Sequence, residues 1–136
     1  MRQLLYLDAS ALVKLIRPEP ESSALLAALG QWRERVTSSL SALEVRRALR
    51  RVKPTEADWR RAEEALRRVG QIGIGEPILT EAAKLEPPEL RTLDAIHLAT
   101  ALLWREQSGG DLVMATHDAA LATAARASGL TVVGNS

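Results

Sequence analysis

Residues 4–16 read LLYLDASALVKLI, an apolar run that stops at an aspartate and resumes with apolar residues at helical spacing. The segment 4–7 is short and continuously apolar, which is typical of a strand buried in a sheet. Over residues 9–17 the apolar positions follow a helical period until Pro18 ends the pattern. The sequence therefore predicts a buried strand and a helix in direct succession, with Asp8 at their junction.

The same alternation of short apolar segments and helical patterns continues along the chain. Further strands are predicted at residues 36–38, 71–74, 112–115 and 130–133. Further helices are predicted at residues 21–29, 42–52, 55–70, 78–85, 93–104 and 119–127. Strands that alternate with helices form a parallel sheet with helices on both faces. We therefore predict an α/β fold, a three-layer α/β/α sandwich with a central parallel sheet, in a single domain over residues 1–136.

The composition excludes several classes of protein. Hydrophobic residues make up 46% of the chain, which is enough for a core and argues against global disorder. The absence of cysteine excludes disulfide scaffolds, thiolate metal sites and thiol nucleophiles. No apolar run reaches the roughly 20 residues of a membrane span, and the first apolar stretch is too short for a signal peptide. We therefore expect a cytoplasmic protein that does not enter a membrane.

Four carboxylates lie in apolar surroundings, whereas most other acidic residues lie among arginines. They are Asp8, Glu44, Asp94 and Asp118. Each has a simple structural explanation. Asp8 and Asp118 could cap the helices that follow them, Glu44 could complete a capping box begun by Ser41, and Asp94 could face the positive end of its helix.

The four positions also suggest a common site. Asp8 and Asp118 follow predicted strands, and a parallel sheet presents its functional crevice at the carboxyl ends of its strands. Glu44 and Asp94 begin helices that follow connections on the same side. Carboxylates that converge repel one another and destabilise the fold unless a cation is present. Oxygen ligands favour Mg²⁺ or Mn²⁺, and such an ion suits phosphodiester chemistry.

At these residues the sequence resembles the PIN-domain family, in particular the VapC-like ribonuclease toxins of toxin–antitoxin pairs. The resemblance is carried by LDASALVKL (7–15), SALEVRRAL (41–49), LRTLDAIHLATAL (90–102), and Thr116–Asp118 followed by LATAARASGLTVV (121–133). It covers nearly the whole chain.

The resemblance implies a metal-dependent endoribonuclease whose cofactor is Mg²⁺ or Mn²⁺. By position, Asp8, Glu44, Asp94 and Asp118 match the acidic cluster of the family, which binds metal and carries catalysis. Ser10 and Thr116 match the hydroxyl positions that support this cluster by hydrogen bonding. The implied partners are an RNA substrate, a small antitoxin protein and a second copy of the chain.

A local cluster of arginines follows Glu44, although the whole chain carries a net charge of only +1. The cluster includes Arg46, Arg47 and Arg50. These arginines could bind RNA phosphates or an acidic antitoxin segment. They could equally form the solvated face of a helix whose other face is apolar.

Two histidines remain to be interpreted. His97 follows Asp94 by one helical turn, so a metal-binding or general-base role is conceivable. In so apolar a helix we favour a buried histidine whose hydrogen bonds are satisfied within the core. We assign no role to His117.

Two other functions compete with the nuclease. A magnesium-dependent phosphatase with an aspartate nucleophile usually carries a second aspartate two residues further on, and Ser10 occupies that position here. A non-catalytic PIN-like module could instead keep the pocket for folding, or to dock a partner protein or RNA, although the complete set of four carboxylates argues against it.

Overall fold

The computed structural model of the chain describes residues 3–17, 32 and 34–134. This part contains five strands, which are β1 (Gln3–Leu7), β2 (Glu34–Ser38), β3 (Gly70–Ile72), β4 (Asp111–Ala115) and β5 (Thr131–Val133). It also contains six helices, which are α1 (Ala9–Ile16), α2 (Leu40–Arg50), α3 (Glu56–Arg67), α4 (Glu76–Lys84), α5 (Thr92–Ser108) and α6 (Ala119–Ala127). The predicted helix at residues 21–29 lies outside the described residues.

The five strands form one sheet in the order β3-β2-β1-β4-β5, and all neighbouring strands are parallel. The chain first builds outward from β1 to β2 and β3, and then returns to the other side of β1 to add β4 and β5. The predicted α/β sandwich is confirmed. The reversal of strand order places a crevice between the carboxyl ends of β1 and β4, where open α/β sheets bind their ligands.

Strand β1 is buried on both faces, and its side chains divide the core into two layers. Leu5 and Leu7 pack with residues of α1, α2 and α3. Leu4 and Tyr6 pack with residues of α5 and α6 on the opposite face. Successive side chains of a strand point to opposite faces, so four consecutive apolar residues are what a central strand covered on both sides requires.

Two helices begin or end at residues other than those predicted from the sequence. Helix α2 begins at Leu40, two residues earlier than predicted. Helix α5 runs to Ser108 because its C-cap, Gly109, adopts a left-handed conformation with φ of 67° and stops the helix there. Helix α3 begins with a capping box, in which the Thr55 hydroxyl accepts from the backbone N–H of Asp58 and the Asp58 carboxylate accepts from the backbone N–H of Thr55. Within the described residues, no helix has the length and apolar character needed to cross a membrane.

Candidate active site

The four predicted carboxylates line a single pocket at the carboxyl edge of the sheet. Asp8 follows β1, Asp118 follows β4, and Glu44 and Asp94 project from α2 and α5. The pocket has a volume of about 350 Å³. A larger cavity of about 590 Å³ lies along α3 and contains none of the four. The chemistry therefore belongs to the smaller pocket between β1 and β4.

Asp8 is held by three donors from two segments of the chain. Its Oδ1 accepts hydrogen bonds from the backbone N–H of Ala11 at 2.9 Å and from the Ser10 hydroxyl at 2.7 Å. Its Oδ2 accepts a hydrogen bond from the Thr116 hydroxyl at 2.5 Å. Asp8 is thus the N-cap of α1, and the same side chain lines the pocket. Capping and a site role are compatible because a carboxylate has more lone pairs than the cap uses.

Thr116 and Ser10 join the ends of β1 and β4. The Thr116 hydroxyl, which donates to Asp8, also accepts a hydrogen bond from the backbone N–H of Asp118 at 3.0 Å. The Ser10 hydroxyl accepts one from the backbone N–H of His117 at 2.9 Å. Both hydroxyls therefore link Asp8 to the loop that carries Asp118.

Glu44 makes a contact that the sequence did not indicate. Its Oε1 lies 2.6 Å from Nε2 of His97, and Nδ1 of His97 lies 2.6 Å from the Tyr6 hydroxyl. The capping box proposed for Glu44 is wrong because α2 begins at Leu40, which places Glu44 beyond its first turn. Ser41 instead hydrogen-bonds to Thr37, at 2.6 Å between their hydroxyl oxygens.

Arg91 forms ion pairs with two of the four carboxylates. Its Nη2 lies 3.0 Å from Oδ2 of Asp118, and its Nε lies 3.5 Å from Oδ2 of Asp94. Oδ1 of Asp118 meanwhile caps α6 through the backbone N–H of Leu121. Arg91 was missed at the sequence level. It is the N-cap residue of α5, three positions before Asp94, and this i,i+3 spacing is the signal that could have identified it.

Burial raises the pKa of two site carboxyls, and in one of them repulsion by neighbouring carboxylates adds to the shift. For Asp8 the cause is burial, which the hydrogen bonds from Thr116, Ser10 and Ala11 oppose. For Asp94 the pKa is raised first by burial and then by the charge of Asp118, while Arg91 opposes the shift. In both residues the ionised form is therefore destabilised, and a cation in the pocket would stabilise it.

The pocket fits a hard divalent cation. Asp94 Oδ2 is buried and accepts no hydrogen bond from any residue that the structure describes, and its nearest cation is the Arg91 Nε at 3.5 Å. His97 also lines the pocket, but both of its ring nitrogens are already hydrogen-bonded. The groups left to bind an ion are carboxylate and hydroxyl oxygens, which suit Mg²⁺ or Mn²⁺ better than zinc. Across residues 3–17, 32 and 34–134, however, no three acidic or histidine side chains already form a metal-binding group. Mg²⁺ keeps several waters and often takes only one or two protein carboxylates, so water could complete its coordination here.

The three arginines predicted to bind RNA or antitoxin have different surroundings. Arg46 forms a two-point ion pair with Glu63 of α3, with both nitrogen–oxygen distances at 3.0 Å. Arg47 lines a groove that adjoins the pocket and shares Glu44 with it. Arg50 is exposed on α2. Arg47 is thus better placed than Arg46 to contact a bound molecule, and the binding role of all three stays a prediction.

Comparison with known proteins identifies the family. The PIN-domain family model matches residues 5–127. Ribonuclease VapC46 of Mycobacterium tuberculosis is 41% identical over 130 residues, which cover 95% of this chain and 95% of the relative. Ribonuclease VapC35 of the same species is 40% identical over 136 residues, with 96% of each chain covered.

Solved structures agree with this comparison. A toxin–antitoxin complex from Klebsiella pneumoniae contains a chain with 26% identity and a TM-score of 0.63, covering 85% of this chain and 86% of that one. FitAcB from Neisseria gonorrhoeae has a TM-score of 0.69 at 20% identity, covers 95% of this chain and 96% of that one, and supports the fold alone. The chain therefore belongs to the PIN-domain family, as a VapC-like member.

Proposed function

We propose that this protein is a divalent-metal-dependent endoribonuclease that hydrolyses RNA phosphodiester bonds as the toxin of a toxin–antitoxin pair. The observation that carries the proposal is the convergence of Asp8, Glu44, Asp94 and Asp118 on one pocket. The names and identities of the two mycobacterial relatives support RNA as the substrate class.

The roles of the site residues follow from their contacts. Asp8 and Asp94 would hold the ion, directly or through water, while Glu44 and Asp118 would complete its shell or orient the attacking water. Mg²⁺ or Mn²⁺, when bound, supplies a water that is acidic enough to react near neutral pH and a positive charge for the phosphate. Ser10 and Thr116 fix the Asp8 carboxylate by donating to both of its oxygens. No side-chain nucleophile is required.

The groove beside the pocket is a candidate surface for the antitoxin. It is lined by the exposed apolar side chains of Leu43 and Leu93 together with Arg47 and Arg51. Exposed leucines beside arginines suit an amphipathic segment that carries acidic residues. The solved toxin–antitoxin complex from Klebsiella pneumoniae supports such a partner. We also propose a homodimer.

Replacing Asp8 by alanine tests the proposal. We expect wild-type protein to cleave a mixed RNA pool with Mg²⁺ or Mn²⁺ and the variant to be slower by about 100-fold or more, since a lost metal contact removes several kcal/mol of charge stabilisation. Calorimetric titration with Mn²⁺ should show weaker binding to the variant. Because alanine also removes the cap of α1, Asp8→Asn, which keeps capping ability, should be measured in parallel.

The same assays separate the alternatives. A phosphatase would hydrolyse a phosphate monoester with metal and leave RNA intact. A binding module would bind metal, RNA or a partner protein and cleave nothing. Equal RNA cleavage by wild type, Asp8→Ala and Asp8→Asn would overturn the proposed function.

Replacing Arg91 by glutamine should tighten Mn²⁺ binding about fivefold, because the guanidinium competes with the ion for Asp94 and Asp118, and these two ion pairs of an exposed arginine together contribute roughly 1 kcal/mol. Arg67→Gln is a matched control, since Arg67 is an exposed arginine paired with Glu64 on α3, away from the pocket. Its Mn²⁺ affinity should equal that of wild type. Unchanged or weaker affinity in Arg91→Gln would contradict the competition.

A further inference from the structure

The hydrogen bonds from Tyr6 to His97 and from His97 to Glu44 connect three separate elements of the fold. Tyr6 lies on β1, His97 on α5 and Glu44 on α2. The Tyr6 side chain is fully buried and His97 is 2% exposed, whereas the Glu44 side chain, at 23%, reaches the pocket. The contacts therefore run from the core to the edge of the site.

For an ionised Glu44 and a neutral His97 ring, the chemistry of the three groups sets the direction of these hydrogen bonds. An ionised Glu44 has no proton to donate, so Nε2 of His97 must carry the hydrogen that lies between them. A neutral imidazole has only one such hydrogen, which leaves Nδ1 as an acceptor. The Tyr6 hydroxyl is then the donor to Nδ1 across 2.6 Å.

We propose that Tyr6 and His97 are positioning residues for Glu44. Tyr6 holds the His97 ring through Nδ1, and the ring holds Oε1 of Glu44 through its Nε2 hydrogen. This leaves Oε2 of Glu44 for an ion or a water in the pocket. We call the hydrogen-bonded series Tyr6, His97 and Glu44 the relay. The inference rests on the proposed function, because Glu44 is one of the carboxylates of that proposed site.

The geometry favours positioning over simple filling of the core. A residue that only fills the core needs no polar group, and a buried polar group costs free energy unless it is paired. Here both ring nitrogens are paired, one with a group that lines the pocket. Carboxylates that bind metal are commonly held by hydrogen bonds from groups behind them, and losing such a partner typically costs about 10- to 100-fold in activity or metal affinity.

The central experiment compares His97→Gln with His97→Asn. The glutamine amide can reach the place of Nε2 and donate to Glu44, whereas the shorter asparagine can reach only the place of Nδ1, beside Tyr6. We expect kcat for RNA cleavage to fall about 10- to 100-fold in His97→Asn and clearly less in His97→Gln, with KM unchanged in both. A purely structural role predicts equal kcat for the two well below their unfolding temperatures, and that result would overturn the inference.

Replacing Tyr6 by phenylalanine tests the inner step. The substitution keeps the ring and removes only the hydroxyl that holds Nδ1. We expect kcat to fall about fivefold, which corresponds to one hydrogen bond, with KM unchanged. Wild-type kcat in Tyr6→Phe would remove Tyr6 from the relay.

A spectroscopic measurement that needs neither metal nor RNA makes the inference independent of activity. The chain has only two histidines, so ring ¹⁵N NMR resonances can be assigned with a His117→Gln variant. We expect His97 to carry hydrogen on Nε2 and not on Nδ1. The Nε2 resonance should move in Glu44→Gln and the Nδ1 resonance in Tyr6→Phe.

The two kinds of failure are distinguishable. If the protein cleaves no RNA but the ring resonances behave as expected, the proposed function fails and the hydrogen bonds stand. The opposite result is that the protein cleaves RNA, while His97 carries hydrogen on Nδ1 or its Nε2 resonance does not move in Glu44→Gln. In that case the relay is wrong and the proposed function stands.

Discussion

Replacing Asp94 by asparagine should abolish metal-dependent RNA cleavage while leaving the metal-free fold as stable as wild type or more stable. Asp94 Oδ2 is the buried carboxylate oxygen without a hydrogen-bond donor in the described part of the chain, and the charge of Asp118 repels it. Asparagine keeps the shape and removes that repulsion. Two smaller effects oppose this gain: the variant loses the attraction between Asp94 and Arg91, and it loses the favourable charge near the N-terminus of α5, which is worth about 0.3–1 kcal/mol.

The loss of cleavage should reach about 1,000-fold, if the variant loses several kcal/mol of stabilisation from the metal. Chemical denaturation without metal measures the stability of the metal-free fold. Thermal unfolding with and without Mn²⁺ measures the stabilisation by the metal, and RNA cleavage under Mg²⁺ measures activity. Asp111→Asn is a matched control, because Asp111 is an exposed aspartate at the start of β4, at the opposite end of the strand. If Asp94→Asn cleaved RNA at the wild-type rate, Asp94 would have no role in metal-dependent cleavage.

The pH dependence of stability provides an additional check on Asp94. Its pKa is raised in the folded state, so its charged form destabilises the metal-free fold. This destabilisation is fully present above the folded pKa and decreases as the pH falls through it. It is absent below the unfolded pKa of 3.8, where the carboxyl is protonated in both states. Wild-type protein should therefore gain more stability than Asp94→Asn when the pH is lowered from 7 toward 4.

Replacing Thr116 by valine should destabilise the fold by about 2–4 kcal/mol and slow cleavage by roughly 10- to 100-fold. Thr116 is fully buried, and its hydroxyl donates to Asp8 while it accepts from the backbone N–H of Asp118. Valine has nearly the same shape but leaves a buried carboxylate oxygen and a backbone N–H without these partners. Equilibrium unfolding and RNA cleavage measure the two losses.

Two variants control for this substitution. Thr116→Ser keeps the hydroxyl and should retain most of the activity. Thr123→Val removes a hydroxyl that bonds the Ala119 carbonyl on the exposed side of α6, and its stability should change by no more than about 0.5 kcal/mol. The cost of Thr116→Val should shrink as pH falls, because burial raises the pKa of Asp8 and a protonated Asp8 no longer needs the donor as strongly. Equal losses in Thr116→Val and Thr116→Ser would exclude the hydroxyl as the cause.

The sequence by itself determined the class of fold and singled out four carboxylates that line one pocket in the structure. Residues 4–7 are apolar without interruption, a pattern typical of a central strand covered on both faces, and β1 is such a strand. The alternation with helical segments then predicts a parallel sheet, whose carboxyl edge collects Asp8 and Asp118. These conclusions depend on local periodicity, which a single sequence records.

Only the tertiary structure decided which groups hold those carboxylates in place. The contact of His97 with Glu44 joins residues 53 positions apart, and that of Thr116 with Asp8 joins residues 108 apart. Arg91 meets Asp118 from 27 positions away. Such contacts depend on how the sheet brings its strand ends and the flanking helices together. Local spacing does not record how these elements pack. The sequence therefore identified the acidic residues that line the pocket but not the residues that contact them.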